Sequence, residues 1–258
     1  MFGSEVTRRQ FVRETAAMIG ATSAALTAGA ARGADTAGRE RWLIVAAHPD
    51  DEAKASALIF SERKPEDELV ILVMRLTGES GVFGRRDVTR EYAIATRSAE
   101  MEESARYLSA RFQWWLPPHP DAVNIADTPE NVEKMAQLIN EIKPTRILTH
   151  WHEDSHPDHA GTAKVVQAAV KRLEYPGDKH LYFWGQPGRE REQEHFVPNH
   201  YVDISDPMLL ARVLWAFFLH RSQTRLRIME TRLKYYSAHG QTAGVQFANA
   251  YMVEKLST

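Results

Sequence analysis

The sequence predicts an α/β fold: one Rossmann-like domain in three layers, a mostly parallel sheet with helices on both faces. Three observations carry this expectation. Several short runs are apolar almost throughout, as in Leu69 to Leu76, "LVILVMRL", which is how strands covered on both faces read. These runs alternate with stretches whose apolar residues recur at helical spacing, the order that builds a parallel sheet. The chain has 258 residues, 43% of them hydrophobic, enough for one large core, and it shows neither an internal repeat nor a second domain boundary.

Taken in order, Arg41 to Ala47 is the first buried strand, and Asp51 to about Ser61 reads as a helix. Leu69 to Leu76 is the second strand. Thr77 to Asp87, Gly-rich and charged, is a loop too long for a simple turn. A helix spans about Thr89 to Ser109, and the aromatic stretch Phe112 to Leu116 is strand-like. Thr128-Pro129 starts a helix, with a threonine cap and proline in the first turn. Val132, Met135, Ala136, Ile139 and Ile142 mark its apolar face, and Lys143-Pro144 ends it. Arg146 to Thr149 is a short strand, His159 to about Leu173 a helix, and His180 to Trp184 and Asn199 to Ile204 are further strand candidates. Leu209, Leu210, Val213, Leu214, Phe217 and Phe218 make the apolar face of a late helix.

The first 34 residues read differently. Thr7-Arg8-Arg9-Gln10-Phe11-Val12-Arg13 precedes a weakly apolar stretch, Ala16 to Ala31, rich in Ala, Gly and Thr. Basic, then mildly apolar, then small residues is the order of a signal peptide, and the paired arginines resemble a twin-arginine export signal; a frayed N-terminal helix is the plainer alternative. The expected organisation is a signal over residues 1–34, a polar linker over 35–40 and the folded domain over 41–258. The expected partner is the twin-arginine export machinery and the expected location periplasmic or extracellular. Four arginines and two glutamates would leave with the signal, taking 32 basic and 34 acidic residues to a formal charge of −4. That balance makes no electrostatic case for nucleic acid. With no cysteine, the domain relies on its core rather than on disulfides.

Chemistry concentrates in two places. "AAHPDDEA", residues 46 to 53, follows the first strand, and "HEDSHPDH", residues 152 to 159, follows the strand at Arg146. In open α/β sheets the ligand site lies beyond the carboxyl ends of the strands, and both segments sit there. Pro then Asp-Asp-Glu is also how an ordinary helix begins, with an aspartate cap and acids facing the positive end of the dipole. That leaves His48 unexplained. His48 and Asp51 are three apart across a strand-to-helix turn and can converge on one point. Imidazole and carboxylate from two neighbouring strand ends suggest a metal site, and two His with one Asp leave positions open for water, as in catalytic zinc. Asp154 and Asp158 are placed to orient a ligand imidazole through its other nitrogen, or to serve as solvated or capping acids. His150 and His152 read as rim or structural residues. Arg85 and Arg86 read as an exposed pair and Trp114-Trp115 as core.

These motifs resemble the PIG-L, or LmbE-like, family of metal-dependent N-deacetylases, whose hallmarks are "(P/A)HPDDE" after the first strand and "HPDH" further on. Here they are Ala47-His48-Pro49-Asp50-Asp51-Glu52 and His156-Pro157-Asp158-His159. Arg97-Ser98-Ala99-Glu100, His220-Arg221-Ser222-Gln223 and Gly244 to Tyr251 are similar to its later motifs, although Asn249 stands where the family usually has Glu. The resemblance implies that His48, Asp51 and His159 bind the metal, normally Zn2+, with Fe2+ an alternative. It implies Asp50 as general base, and His156, protonated, as the imidazole that stabilises or protonates the tetrahedral intermediate. Arg97 would contact substrate, and His220 could reach the site from the late helix, a core histidine with a satisfied partner being the alternative.

The implied reaction is removal of an acetyl group from an N-acetylated amino sugar or its conjugate, of N-acetylglucosamine type. Alternatives are a conjugate amidase of the same fold, a non-haem iron oxygenase (two His and one carboxylate also make that triad) and a non-catalytic exported glycan-binding protein. The last would need no base beside the ligands.

Overall fold

In the computed structural model, residues 38–173, 179–185, 195–224 and 226–256 are described. The expected signal over residues 1–34 lies outside them, as do residues 35–37 of the linker.

The first strand, β1 (Arg41–Ala46), is followed by a 3-10 turn (Asp51–Ala55), α1 (Ser56–Glu62) and β2 (Glu68–Val73). Then come α2 (Arg90–Tyr107), β3 (Arg111–Trp114), α3 (Pro129–Ile142), β4 (Arg146–His150) and α4 (Pro157–Arg172). The chain ends with β5 (Lys179–Trp184), β6 (His200–Asp203), α5 (Pro207–Phe218), α6 (Leu226–Ala243) and β7 (Ala248–Leu256). The seven strands lie in one sheet, in the order β3-β2-β1-β4-β5-β7-β6. The first five are parallel neighbours, whereas β7 runs antiparallel to both β5 and β6.

Each face of the sheet is covered by helices. Trp42, Ile44, Ile71 and Leu148 face one side, where Leu58 of α1, Met101 of α2, Val213 of α5 and Tyr236 of α6 close over them. Leu43, Val45, Leu72 and Ile147 alternate onto the other side, against Met135 and Ile139 of α3 and Val165, Val166 and Ala169 of α4. Strands buried on both faces have no polar side to show, hence the near-continuous apolar runs. Trp115 is buried and Trp114 packs against the core, so the tandem tryptophans are core rather than a sugar platform.

Local chemistry sets the helix ends. The Thr128 hydroxyl accepts from the Asn131 N–H at 3.2 Å ahead of Pro129, and Lys143 closes α3 in the left-handed region at φ 50°. Thr89 caps α2 in the same way.

Two elements are absent from the pattern-based reading. In α6 the buried positions are only Met229, Tyr235, Tyr236 and Gly240, among many charges, so no clean apolar stripe marks the helix. In β7 the outer half is partly exposed and carries Glu254 and Lys255, which hides a strand between β5 and β6. The expected helix at Asp51 also begins differently. Asp50 has φ 104° and makes no side-chain cap hydrogen bond, so the plain capping explanation of its carboxylate fails.

Strand order reverses between β1 and β4: from β1 the chain winds outward through β2 and β3, then returns to lay β4 on the other side. The loops after these two strands therefore diverge and open a crevice. Both histidine-rich segments leave the sheet there.

Candidate metal centre and active site

The second segment is a helix start. His156 caps α4, its Nδ1 accepting from the Asp158 N–H at 3.2 Å, with Pro157 and Asp158 in the first turn and His159 behind them. Gly161 permits the neighbouring segment to lie against this turn, because a Cβ there would sit 2.1 Å from the Ile125 carbonyl oxygen. That approach brings the Ile125 N–H within 3.0 Å of Asp158 Oδ1.

Across the crevice, His48 stands with its ring centroid 5.0 Å from that of His156 and 5.4 Å from that of His159. Each candidate ligand imidazole is held by a carboxylate through one nitrogen: His48 Nε2 lies 3.0 Å from Asp158 Oδ2, and His159 Nδ1 lies 3.1 Å from Asp154 Oδ2. The opposite nitrogens both turn to Asp51, with His159 Nε2 3.4 Å and His48 Nδ1 3.5 Å from Oδ2.

These spacings fit a metal better than hydrogen bonds, whose mode is about 2.9–3.0 Å. Bonds of about 2.0–2.2 Å at tetrahedral angles put neighbouring donors roughly 3.3–3.5 Å apart. His48, Asp51 and His159 thus suit one divalent ion, and Asp158 and Asp154 occupy the orienting places read from the sequence.

His150 Nε2 also lies 3.5 Å from Asp51 Oδ2, but it accepts from the Ala47 N–H at 3.0 Å, so its lone pair is spent. Fully buried, His150 is structural. His152 packs its ring on Trp151 and takes no part.

Electrostatics follow from the packing. Burial opposes a charge on His159, but Asp51 and Asp154 outweigh it and raise its pKa to about 9. Burial likewise opposes the charge on His48, and hydrogen bonds to Asp158 and Asp51 raise its pKa nonetheless. Against its own burial, Asp158 is held well below the usual carboxylate range by His48, the Ile125 N–H and Arg75. Burial pushes Asp50 above the ordinary carboxylate pKa despite Arg97, whose Nη2 is 3.7 Å from Asp50 Oδ2. Burial and the nearby His159 and His48 lower the pKa of His156. The ring is thus held toward its neutral form, and its Nδ1 acts as an acceptor.

A cavity of about 350 Å³ opens over the donors. Its lining includes His48, Asp50, Asp51, Arg97, His156, Asp158 and His159, together with Arg75, Thr77, Glu79, Ser80, Asn124, Pro157 and Gln223. Arg97 is thus at the cavity, with Nη2 donating to the Pro49 carbonyl at 2.7 Å.

His220 is not in the lining: it is the core histidine of the two alternatives, not a substrate contact. It is 1% exposed, and its Nε2 is paired with Glu52 Oε1. Glu52, an acid read as ordinary first-turn decoration, also accepts from the Ser104 hydroxyl and, through Oε2, from the Asp50 N–H at 2.9 Å. It ties down the turn that carries Asp50.

Sequence reasoning passed over Arg75, which donates to Asp158 at 2.6 Å; the signal was a lone cation at the end of an apolar strand. Glu100 accepts from the Ser222 N–H and hydroxyl, and Gln223 Nε2 donates to the Gly81 carbonyl at 3.0 Å, so the two later motifs fasten the glycine-rich loop over the cavity. Arg85 is an exposed residue paired with Asp87.

The chain is similar to several known proteins. Residues 43–170 match the family described as PIG-L: GlcNAc-PI de-N-acetylase. A Bacillus cereus protein named "Probable N-acetyl-alpha-D-glucosaminyl L-malate deacetylase 2" is 25% identical over 205 residues, covering 74% of this chain and 87% of that protein. Among solved structures, N,N'-diacetylchitobiose deacetylase from Pyrococcus horikoshii superposes with a TM-score of 0.67 at 20% identity, over 86% of each chain. GalB, the 4-carboxy-2-hydroxymuconate hydratase of Pseudomonas putida KT2440, superposes with a TM-score of 0.65 at 17% identity, over 83% of this chain and 95% of that one. One fold therefore serves different reactions, and function must be argued from the site. The stretch that matches the PIG-L description, residues 43–170, carries both histidine-rich segments.

Proposed function

We propose that this chain is a hydrolytic N-deacetylase, dependent on a divalent metal, normally zinc, that removes the acetyl group from an N-acetylated amino sugar or its conjugate. The observation that carries this reading is the convergence of His48, Asp51 and His159 at metal-ligand spacing beside an unligated carboxylate, Asp50. The names of the relatives support the substrate class: an N-acetylglucosaminyl malate deacetylase and a diacetylchitobiose deacetylase. A cavity lined mainly by hydrogen-bonding side chains suits a sugar.

His48, Asp51 and His159 would hold the ion. When bound, it supplies a Lewis acid that polarises the amide carbonyl and acidifies water to a pKa of about 7. Asp50, with Arg97 Nη2 3.7 Å from its Oδ2, takes a proton from the attacking water as the water oxygen bonds to the acetyl carbon. Its raised pKa makes it a better acceptor than an ordinary aspartate. Neutral His156, with Nδ1 accepting from Asp158 N–H, carries its proton on Nε2 and offers it as a hydrogen bond to the developing oxyanion. As the C–N bond breaks, Asp50 returns the proton to the amine, leaving acetate and the free amino sugar.

We also propose export by the twin-arginine route, on the evidence of Arg8-Arg9 and the stretch that follows. The deciding experiment measures acetate released from N-acetylglucosamine conjugates, with and without chelator and in the absence of oxygen. Release that ignores the chelator, or no release by metal-loaded protein from any such conjugate, sinks the proposal. Anaerobic turnover excludes an oxygenase.

A further inference from the structure

We propose that Lys54 is a positioning residue of the metal centre: it occupies one oxygen of Asp51 and cancels the charge of that ligand. This role presupposes the metal reading above and adds a residue to it. A lysine is almost never fully buried unless paired, yet Lys54 is only 5% exposed. Its Nζ lies 2.8 Å from Asp51 Oδ1. Its backbone carbonyl accepts from the Tyr251 hydroxyl at 2.9 Å and from Asn249 Nδ2 at 3.1 Å, so β7 fixes the turn from which the ammonium reaches.

Two consequences follow. With Oδ1 taken, Asp51 presents only Oδ2 to the imidazoles of His48 and His159, which makes it a one-oxygen ligand. Two neutral imidazoles and one carboxylate carry a single negative charge, and Lys54 brings the set to zero. A divalent ion held there would be neutralised less by its three ligands and would be the stronger Lewis acid. The cost is affinity, because a fixed cation beside the site repels the ion. Lys54 thus trades tight binding for Lewis acidity.

The test uses the full chain, wild type and the variants Lys54→Gln and Lys54→Met, titrated with Co2+ at constant neutral pH. Affinity is read by competition with a chromophoric chelator, and coordination by the visible absorption of the bound ion. Both variants should bind Co2+ at least about tenfold more tightly than wild type. Lys54→Gln, which can still donate to Oδ1, should keep the wild-type spectrum. Lys54→Met should show the weaker bands of a higher coordination number, as Asp51 engages both oxygens. Unchanged or weaker affinity in whichever variant folds overturns the role. A wild-type protein that takes up no Co2+ sinks the metal reading itself, and this role with it.

Discussion

Glu52 offers the sharpest perturbation, because three donors converge on one fully buried carboxylate. Its Oε2 accepts from Asp50 N–H at 2.9 Å, and its Oε1 accepts from the Ser104 hydroxyl at 2.6 Å and pairs with His220 Nε2. Glu52→Ala removes every acceptor at once. Each orphaned donor costs about 1–3 kcal/mol, and breaking a buried ion pair costs about 3–5 kcal/mol. These overlap, so the expected loss is on the order of 4–6 kcal/mol, much of a typical stability of about 5–15 kcal/mol. Glu52→Gln keeps the shape and an accepting oxygen but loses the charge, and should cost about 2 kcal/mol, or roughly 4–8 °C in Tm for a domain of this size. His220, whose pKa Glu52 raises against the effect of burial, should turn neutral in that variant. Because Glu52 touches Asp50 and no candidate ligand, kcat should fall while divalent-ion affinity stays near wild type. Thermal and denaturant unfolding, chelator competition and acetate release read these in turn. A Glu52→Ala protein within about 1 kcal/mol of wild type would refute the reasoning.

Asp50 has φ 104°, a conformation that costs a non-glycine residue about 1–3 kcal/mol. Asp50→Gly should therefore raise stability by about 1 kcal/mol while acetate release drops at least about a hundredfold; a destabilised Asp50→Gly would show that the turn is not strained. Asp158→Asn should weaken divalent-ion binding by about 10–100-fold through His48, as measured by chelator competition, and an unchanged affinity counts against the orienting contact. For the metal-free protein, His159 has a folded pKa of about 9 against an unfolded value of 6.5. Its protonated form stabilises the fold below pH 6.5, and that contribution, roughly 3 kcal/mol at most, is lost as pH rises to 9. His48 and His220 shift in the same sense. Tm of chelator-treated protein should fall across this window, and a flat or rising Tm would contradict the shifts. Ion affinity should rise over the same range, because the ion competes with those protons.

Much of the fold was legible because burial on both faces leaves a plain trace. Leu69 to Leu76 and the helix opened by Thr128-Pro129 could be read directly. So could the pairing of His48 with Asp51, since three residues across a strand-to-helix turn leave little freedom. The helix Leu226–Ala243 and the strand Ala248–Leu256 could not, because partly exposed elements mix charges into their apolar pattern.

By itself the sequence determined the alternating architecture and the residue types available at two strand ends, since periodicity and local spacing are properties of the chain. Tertiary structure alone decided which atoms meet. Strand order set β1 beside β4 and so brought Asp51 Oδ2 between imidazoles more than a hundred residues apart. It withdrew His220 behind Glu52, left Asp50 facing the cavity and aimed Lys54 at Asp51. Such contacts depend on how separate elements pack, and packing couples distant positions that no local pattern records.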